Sequence, residues 1–95
     1  MLLIDARDRS KLIATTSTLI LEANSYRIWA AFVNQGATDI WLQLGEAAAE
    51  DKGIYLKAGG GATLIETTNP WPGGVYGIAK TAASKLTCQE VEERH

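Results

Sequence analysis

Short apolar runs separated by turn residues dominate this chain, and helical periodicity is almost absent. The only helix-compatible stretch, residues 45–52, would make about two turns at 3.6 residues per turn. An isolated helix of that length is not stable in water, so we interpret it as a loop or a single turn. The other runs are rich in β-branched and aromatic residues and end at glycine, proline, asparagine or aspartate, which is typical of strands joined by turns.

The regular spacing of these runs predicts the fold class. We expect strands at residues 11–14, 18–22, 26–33, 40–44, 54–57, 63–67, 75–80 and 85–91. Seven or eight short strands at such spacing favour an all-β fold, a single antiparallel β-sandwich or jelly-roll-like domain over residues 1–95. The chain is 46% hydrophobic over 95 residues, which suits one domain with a modest core.

The longest predicted strand, residues 26–33, carries apolar groups at both odd and even positions. Because side chains alternate across a strand, this pattern predicts a central strand covered on both faces. We expect Trp29 in the core or between subunits. Arg27 is a cation among apolar groups, and it is predicted to pair across a sheet or an interface, with Glu22 and Glu66 as candidate partners.

Charge and cysteine content exclude several classes of protein. Nine basic residues against eleven acidic ones give a net charge of −2, and the basic residues are scattered, so we expect no nucleic-acid partner. The apolar start, residues 1–4, is interrupted by Asp5 and Arg7 and is too short for a signal peptide or a membrane span, so no membrane partner is expected. One cysteine excludes an intrachain disulfide, which favours a reducing cytoplasm.

No catalytic constellation is found, and the chain is predicted not to be an enzyme. His95, the only histidine, is the last residue, where chains usually fray. Cys88 alternates with Leu86 and Glu90, which predicts a small buried residue rather than a nucleophile. The acidic run Glu90, Glu92 and Glu93 is predicted to be a solvated chain end.

Metal and cofactor motifs are missing as well. One cysteine and one histidine cannot form a zinc site, and the aspartates lack the spacing of a calcium loop. The glycines at 59–61 are not followed by the lysine and serine or threonine of a phosphate cradle, so they are interpreted as a turn. We therefore expect no metal and no cofactor.

Two tryptophans are candidate interface residues. Trp41 alternates with Ile40 and Leu42 and is expected to point away from their face. Trp71 lies between Pro70 and Pro72, which hold it on a stiff extended segment. Three interpretations of Trp71 stay open: a cap on the end of the sandwich, an anchor at a protein interface, and a platform for sugar stacking.

The order of the segments resembles that of small bacteriophage virion proteins. The resemblance covers residues 16–90 and lies in an Asn-x-x-Arg segment at 24–27, an Asn-x-Gly segment at 34–36, the strand start at 39–42, the Gly-bounded segment at 53–60 and the final strand at 85–90. Trp41 departs from the pattern, which more often has tyrosine there. Residues 46–52 are longer and more helix-compatible than the pattern.

This resemblance implies a structural or accessory subunit of a phage or prophage particle, of the head-decoration, neck, tail or fibre type. It implies a homo-oligomer, with a trimer favoured, that contacts other virion proteins and is made in the bacterial host cytoplasm. Trp71, Trp41 and Arg27 are the hypothesised interface residues. The alternative is a small glycan-binding β-sandwich module that uses exposed tryptophans.

Overall fold

The computed structural model describes residues 3–94, which form nine strands. Their bounds are β1 Leu3–Asp8, β2 Lys11–Ile13, β3 Thr18–Leu21, β4 Arg27–Asn34, β5 Ile40–Leu44, β6 Ile54–Leu56, β7 Gly61–Ile65, β8 Val75–Ala79 and β9 Ser84–Arg94. All strand pairs are antiparallel. The described residues include no helix that could span a membrane.

The strands form two sheets. One has five strands, in the order β1-β9-β4-β7 with β2 also paired to β9, and the other has four, in the order β3-β8-β5-β6. Buried side chains from both sheets form one apolar cluster, so the sheets pack face to face. The all-β sandwich prediction is confirmed.

The structure has nine strands where seven or eight were expected, and β1 is the strand that was not predicted. All six of its residues are exposed, and no buried apolar face marks residues 3–8 as a strand in the sequence. Its place in the sheet comes from backbone pairing, because β1 runs antiparallel to β9 from Leu3 opposite Arg94 to Asp8 opposite Gln89.

Strand β4 was expected to be covered on both faces, and this prediction is wrong. Ala30, Phe32 and Asn34 are buried against the other sheet, whereas Trp29, Ala31 and Val33 are only half-buried. No strand among residues 3–94 lies over this second side. The apolar groups on it therefore belong to an outer surface of the sandwich.

A bulge at the start of β4 changes the direction of Arg27. The pairing with β9 shifts by one residue between Arg27, opposite Glu92, and Trp29, opposite Val91. An extra residue on one strand shifts the alternation of side chains. Arg27 is consequently buried, although simple alternation placed it on the same face as Trp29.

Residues 45–53, between β5 and β6, form an irregular loop, in agreement with the interpretation of residues 45–52 as a loop or single turn. The backbone N–H of Ala48 donates to Ser17 Oγ at 2.8 Å. Ser17 precedes β3, and β8 lies between β3 and β5 in the sheet. The loop after β5 therefore passes over β8 to reach the segment before β3.

Candidate assembly surface

The side chain of Arg27 lies inside the folded chain. Its Nε donates to Glu90 Oε2 at 2.7 Å, and its terminal nitrogens donate to the backbone carbonyls of Trp71, Gly73 and Glu22. The prediction of a paired cation holds, but the partner is neither the Glu22 nor the Glu66 carboxylate. At 2% exposure, Arg27 offers almost no surface to a second protein, which corrects its assignment as an interface residue.

Two of the three acidic residues at the end of β9, Glu90 and Glu92, are also buried, contrary to the expectation of a solvated run, whereas Glu93 is half-buried. Glu90 is 4% exposed and accepts a second bond from Arg9 Nε at 3.2 Å. Glu92 is 6% exposed and accepts from Asn24 Nδ2 at 2.9 Å. That hydrogen bond lowers the pKa of Glu92, and the neighbouring Arg94 acts in the same direction, while burial opposes both.

A second polar cluster closes the opposite end of the sandwich around Asn34. Its Nδ2 donates to the carbonyls of Thr38 and Leu56 at 2.9 and 3.0 Å. Its Oδ1 accepts from Ser84 Oγ at 2.9 Å and from the N–H of Gly36 at 3.1 Å. The Asn-x-x-Arg and Asn-x-Gly segments, which carry the sequence resemblance, therefore hold loops to strands within the chain.

Trp71 is half-buried and packs against the apolar core, where it lies beside Leu44 and Ile54. Its Nε1–H donates to the carbonyl of Gly74 at 3.0 Å. This position agrees with the interpretation of Trp71 as a cap on one end of the sandwich. An interface role for its exposed part stays a prediction.

Trp41 is absent from the core cluster that contains Ile40 and Leu42, which agrees with the prediction that it points away from them. It is nevertheless only 6% exposed. Its ring centroid lies 5.6 Å from that of Tyr55, with the ring planes tilted by 41°. The folded chain therefore exposes little of the Trp41 side chain for contact with another protein.

An apolar surface is left open on the five-stranded sheet, on the side away from the core. We call it the outer face. It comprises Ile4, Ala6 and Asp8 of β1, Leu12 of β2, Trp29, Ala31 and Val33 of β4, Ala62 and Leu64 of β7, and Lys85, Thr87, Gln89, Val91 and Glu93 of β9. Ile4, Leu12 and Leu64 are 65%, 64% and 51% exposed.

Cys88 has the buried position that alternation with Leu86 predicts, with 1% exposure. Burial raises the pKa of its thiol to about 12, and the negative charge of Glu90 adds to the rise. A thiol in this state is neither a good nucleophile nor a site for a cross-link between folded chains. His95 lies outside the described residues. Within residues 3–94 no group of three or more His, Cys, Asp or Glu side chains could hold a metal ion.

Comparison with known proteins adds one similar structure. The fold is similar to that of a solved chain from Bacillus endospore appendages, which form a family of disulfide-linked pili, with a TM-score of 0.61. The match covers 95% of this chain and 85% of that one at 14% sequence identity, so it shows a shared fold alone. Neither a protein-family model nor a curated protein matches the chain.

Proposed function

We propose that this chain is a structural subunit, not an enzyme, and that it assembles with copies of itself through protein–protein contacts. The observation that carries the proposal is the apolar outer face. The solvated face of an antiparallel sheet usually carries polar residues. Here Trp29, Ala31 and Val33 follow one another along the central strand of the outer face. Apolar side chains also remain exposed on β1, β2 and β7, at Ile4, Leu12 and Leu64. Apolar groups left open on a sheet face in this way mark an interaction surface.

The shared fold supports an assembling subunit, because the similar chain comes from appendages that form pili. The cross-link named for those pili has no counterpart in the folded form of this chain. Its only cysteine, Cys88, is buried. Copies of this chain are therefore proposed to associate through non-covalent contacts.

For the place of assembly, we propose the particle of a bacteriophage or prophage, with other virion proteins as further partners and synthesis in the host cytoplasm. The support is the order of segments between residues 16 and 90 that resembles small virion proteins. Immunogold labelling of particles purified after induction of the host tests this proposal. Absence of label from intact particles would contradict the phage assignment and leave self-assembly standing.

The alternative of a glycan-binding module loses its main support. It depended on a set of exposed tryptophans, but Trp41 is 6% exposed and Trp71 packs against the core. Only Trp29 of the outer face remains as a half-exposed indole on a sheet surface. One such ring among Ala31, Val33 and Val91 suits a flat protein contact better than a sugar-binding cleft.

The experiment for self-assembly is size-exclusion chromatography with light scattering over a wide range of protein concentrations. We expect a multiple of the 10.2 kDa chain mass. Electron microscopy of the same fractions distinguishes closed rings from filaments, because a heterologous contact that does not close produces open fibres. A monomer at every concentration would contradict the proposal.

A further inference from the structure

We infer that the outer face of the five-stranded sheet binds the same face of a second copy around a two-fold axis that passes over β9 at Gln89. The inference rests on the proposed self-assembly and names the surface and the partner. Gln89 is the central residue of the 11-residue strand β9. The axis lies midway between the two outer faces that pack together, and it is tilted by about 15° from the perpendicular to β9 because packed sheets cross at about 30°. The rotation reverses the direction of each strand and keeps their order across the sheet, as in an isologous contact.

Charges on the outer face are complementary under this rotation. Lys85 lies four residues before Gln89 and Glu93 lies four residues after it, and both belong to the outer side of β9. Lys85 therefore stands over Glu93 of the second copy, and the reciprocal pair forms at the other end. Packed sheets cross at about 30°, which displaces the two ends of β9 sideways by a distance that these long side chains can span.

Apolar side chains are matched by the same operation at the edge of the sheet. Leu12 is paired in register with Lys85, and Ile4 is paired with Glu93. The rotation that brings Lys85 over Glu93 thus brings Leu12 over Ile4 of the second copy. These are the two most exposed large apolar side chains of residues 3–94, at 64% and 65%.

The side chains of β4 on the outer face are matched by the same rotation. Trp29 is paired with Val91 and Val33 with Thr87, two residues on either side of Gln89. Trp29 consequently faces Val33 of the second copy. Ala31 is paired with Gln89 of β9 on one side and with Leu64 of β7 on the other, so both residues lie beside the axis. Ala31 therefore contacts Ala31 of the second copy, and Leu64 contacts Leu64 of the second copy.

One contact in this arrangement is unfavourable. Asp8 is paired with Gln89 at the edge, so the Asp8 side chains of the two copies approach each other near the axis. Each carboxylate accepts hydrogen bonds from the N–H and Oγ of Ser10, at 3.0 and 2.6 Å, which an asparagine oxygen can also accept. Asp8→Asn therefore preserves the local turn, removes the repulsion and is expected to tighten association.

Charge reversal tests the two-fold geometry directly, with the dissociation constant measured by analytical ultracentrifugation. Lys85→Glu and Glu93→Lys each create two like-charge pairs per dimer, and each is expected to weaken association by roughly tenfold, or about 1.4 kcal/mol. The double variant K85E/E93K restores both opposite-charge pairs and is expected to return to within roughly threefold of the parent. Lys52→Glu, in the exposed loop after β5, is the control for net charge.

Leu64→Glu tests the centre of the contact. Two glutamates beside the axis are expected to weaken association by roughly a hundredfold or more, since like charges are brought together as apolar area is lost. Leu64 is 51% exposed in the single chain, so the monomer is expected to fold, which circular dichroism checks. Leu19→Glu, at an exposed position on the four-stranded sheet, is the matched control and is expected to change nothing.

These experiments distinguish failure of the two-fold contact from failure of the proposed self-assembly. Weakening by each single reversal with recovery in the double variant supports the two-fold contact. Association that is unaffected by Leu64→Glu, or a double variant no tighter than the singles, overturns the contact and leaves self-assembly through another surface. A parent protein that stays monomeric overturns both.

Discussion

Arg27 and Glu90 form a buried ion pair that joins β4 to β9, with the arginine Nε 2.7 Å from the glutamate Oε2. The Arg27 side chain is fully buried, and it also binds the loop that carries Trp71 and Gly73. Removal of one partner from such a pair leaves a buried charge and unpaired carbonyl groups.

We expect Arg27→Ala to lower the free energy of unfolding by about 3–5 kcal/mol, measured by urea denaturation. Arg9→Ala is the matched control, because Arg9 pairs with the same carboxylate and its side chain is 42% exposed. Its loss should stay within about 1 kcal/mol. Equal effects of the two variants would show that burial does not set the strength of these pairs.

Gly36 packs against Ser84 so closely that a Cβ at position 36 would overlap the Ser84 side chain and the adjoining backbone of Lys85. Gly36→Ala must therefore displace the start of β9 or break the Asn34 cluster. We expect a loss of about 1–3 kcal/mol, typical of overpacking. In a domain of this size that lowers Tm by about 4–8 °C per kcal/mol.

Gly74→Ala provides the comparison for Gly36→Ala, because a Cβ there meets neighbouring atoms at ordinary contact distances of 3.4 Å and beyond. Thermal unfolding followed by circular dichroism should show an almost unchanged Tm for Gly74→Ala. A Gly36→Ala protein with the Tm of the parent would contradict the close packing at Ser84.

Trp71 and Trp29 are expected to respond differently to removal. Trp71→Ala deletes a ring that packs on the core, so urea denaturation should show a loss that approaches but stays below the ~3–5 kcal/mol of a fully buried tryptophan. Trp29→Ala deletes a ring on the outer face and should weaken association more than it destabilises the monomer. Light scattering separates the two effects. The reverse pattern would make Trp71 the interface residue.

Cys88 predicts how stability changes at alkaline pH. The folded thiol has a pKa of about 12, whereas the thiol of the unfolded chain ionises near 9. Above pH 9 the unfolded chain loses this proton first and binds fewer protons than the folded chain, so stability falls as pH rises from about 9 to about 12. Tyr55, whose pKa is raised by its hydrogen bond to Asp39, acts in the same direction.

The contribution of Cys88 is the difference between the parent and Cys88→Ala, measured by urea denaturation at several values of pH. The parent should lose stability more steeply than the variant above pH 9. Native protein should also resist alkylation at pH 8 until denaturant is added, since the thiolate is scarce and the site is closed. Rapid alkylation of the folded chain would contradict the burial of Cys88.

The strands that could be predicted have a local signal in the sequence, and so do Glu90 and Glu92, whose burial was not predicted. The bounds of β5 are those expected for residues 40–44, because apolar residues, turn residues and alternation all coincide there. Glu90 and Glu92 share a face with Leu86 and Cys88 along β9, so the alternation that placed Cys88 inside also pointed to them. Their charge and their place near the chain end favour the opposite prediction, a solvated run.

The sequence by itself determined the β-rich class, the order of the strands from β2 to β9, and the burial of Cys88. These features depend on spacing over a few residues and on turn chemistry. Only the tertiary structure decided that a bulge turns Arg27 toward Glu90, 63 positions away, and that β1 pairs with β9 without a buried face. It also decided that Trp41 is buried while the outer face around Trp29 stays open. The reason is that pairing, bulges and the covering of a sheet depend on segments distant in sequence, which alternation along one strand does not record.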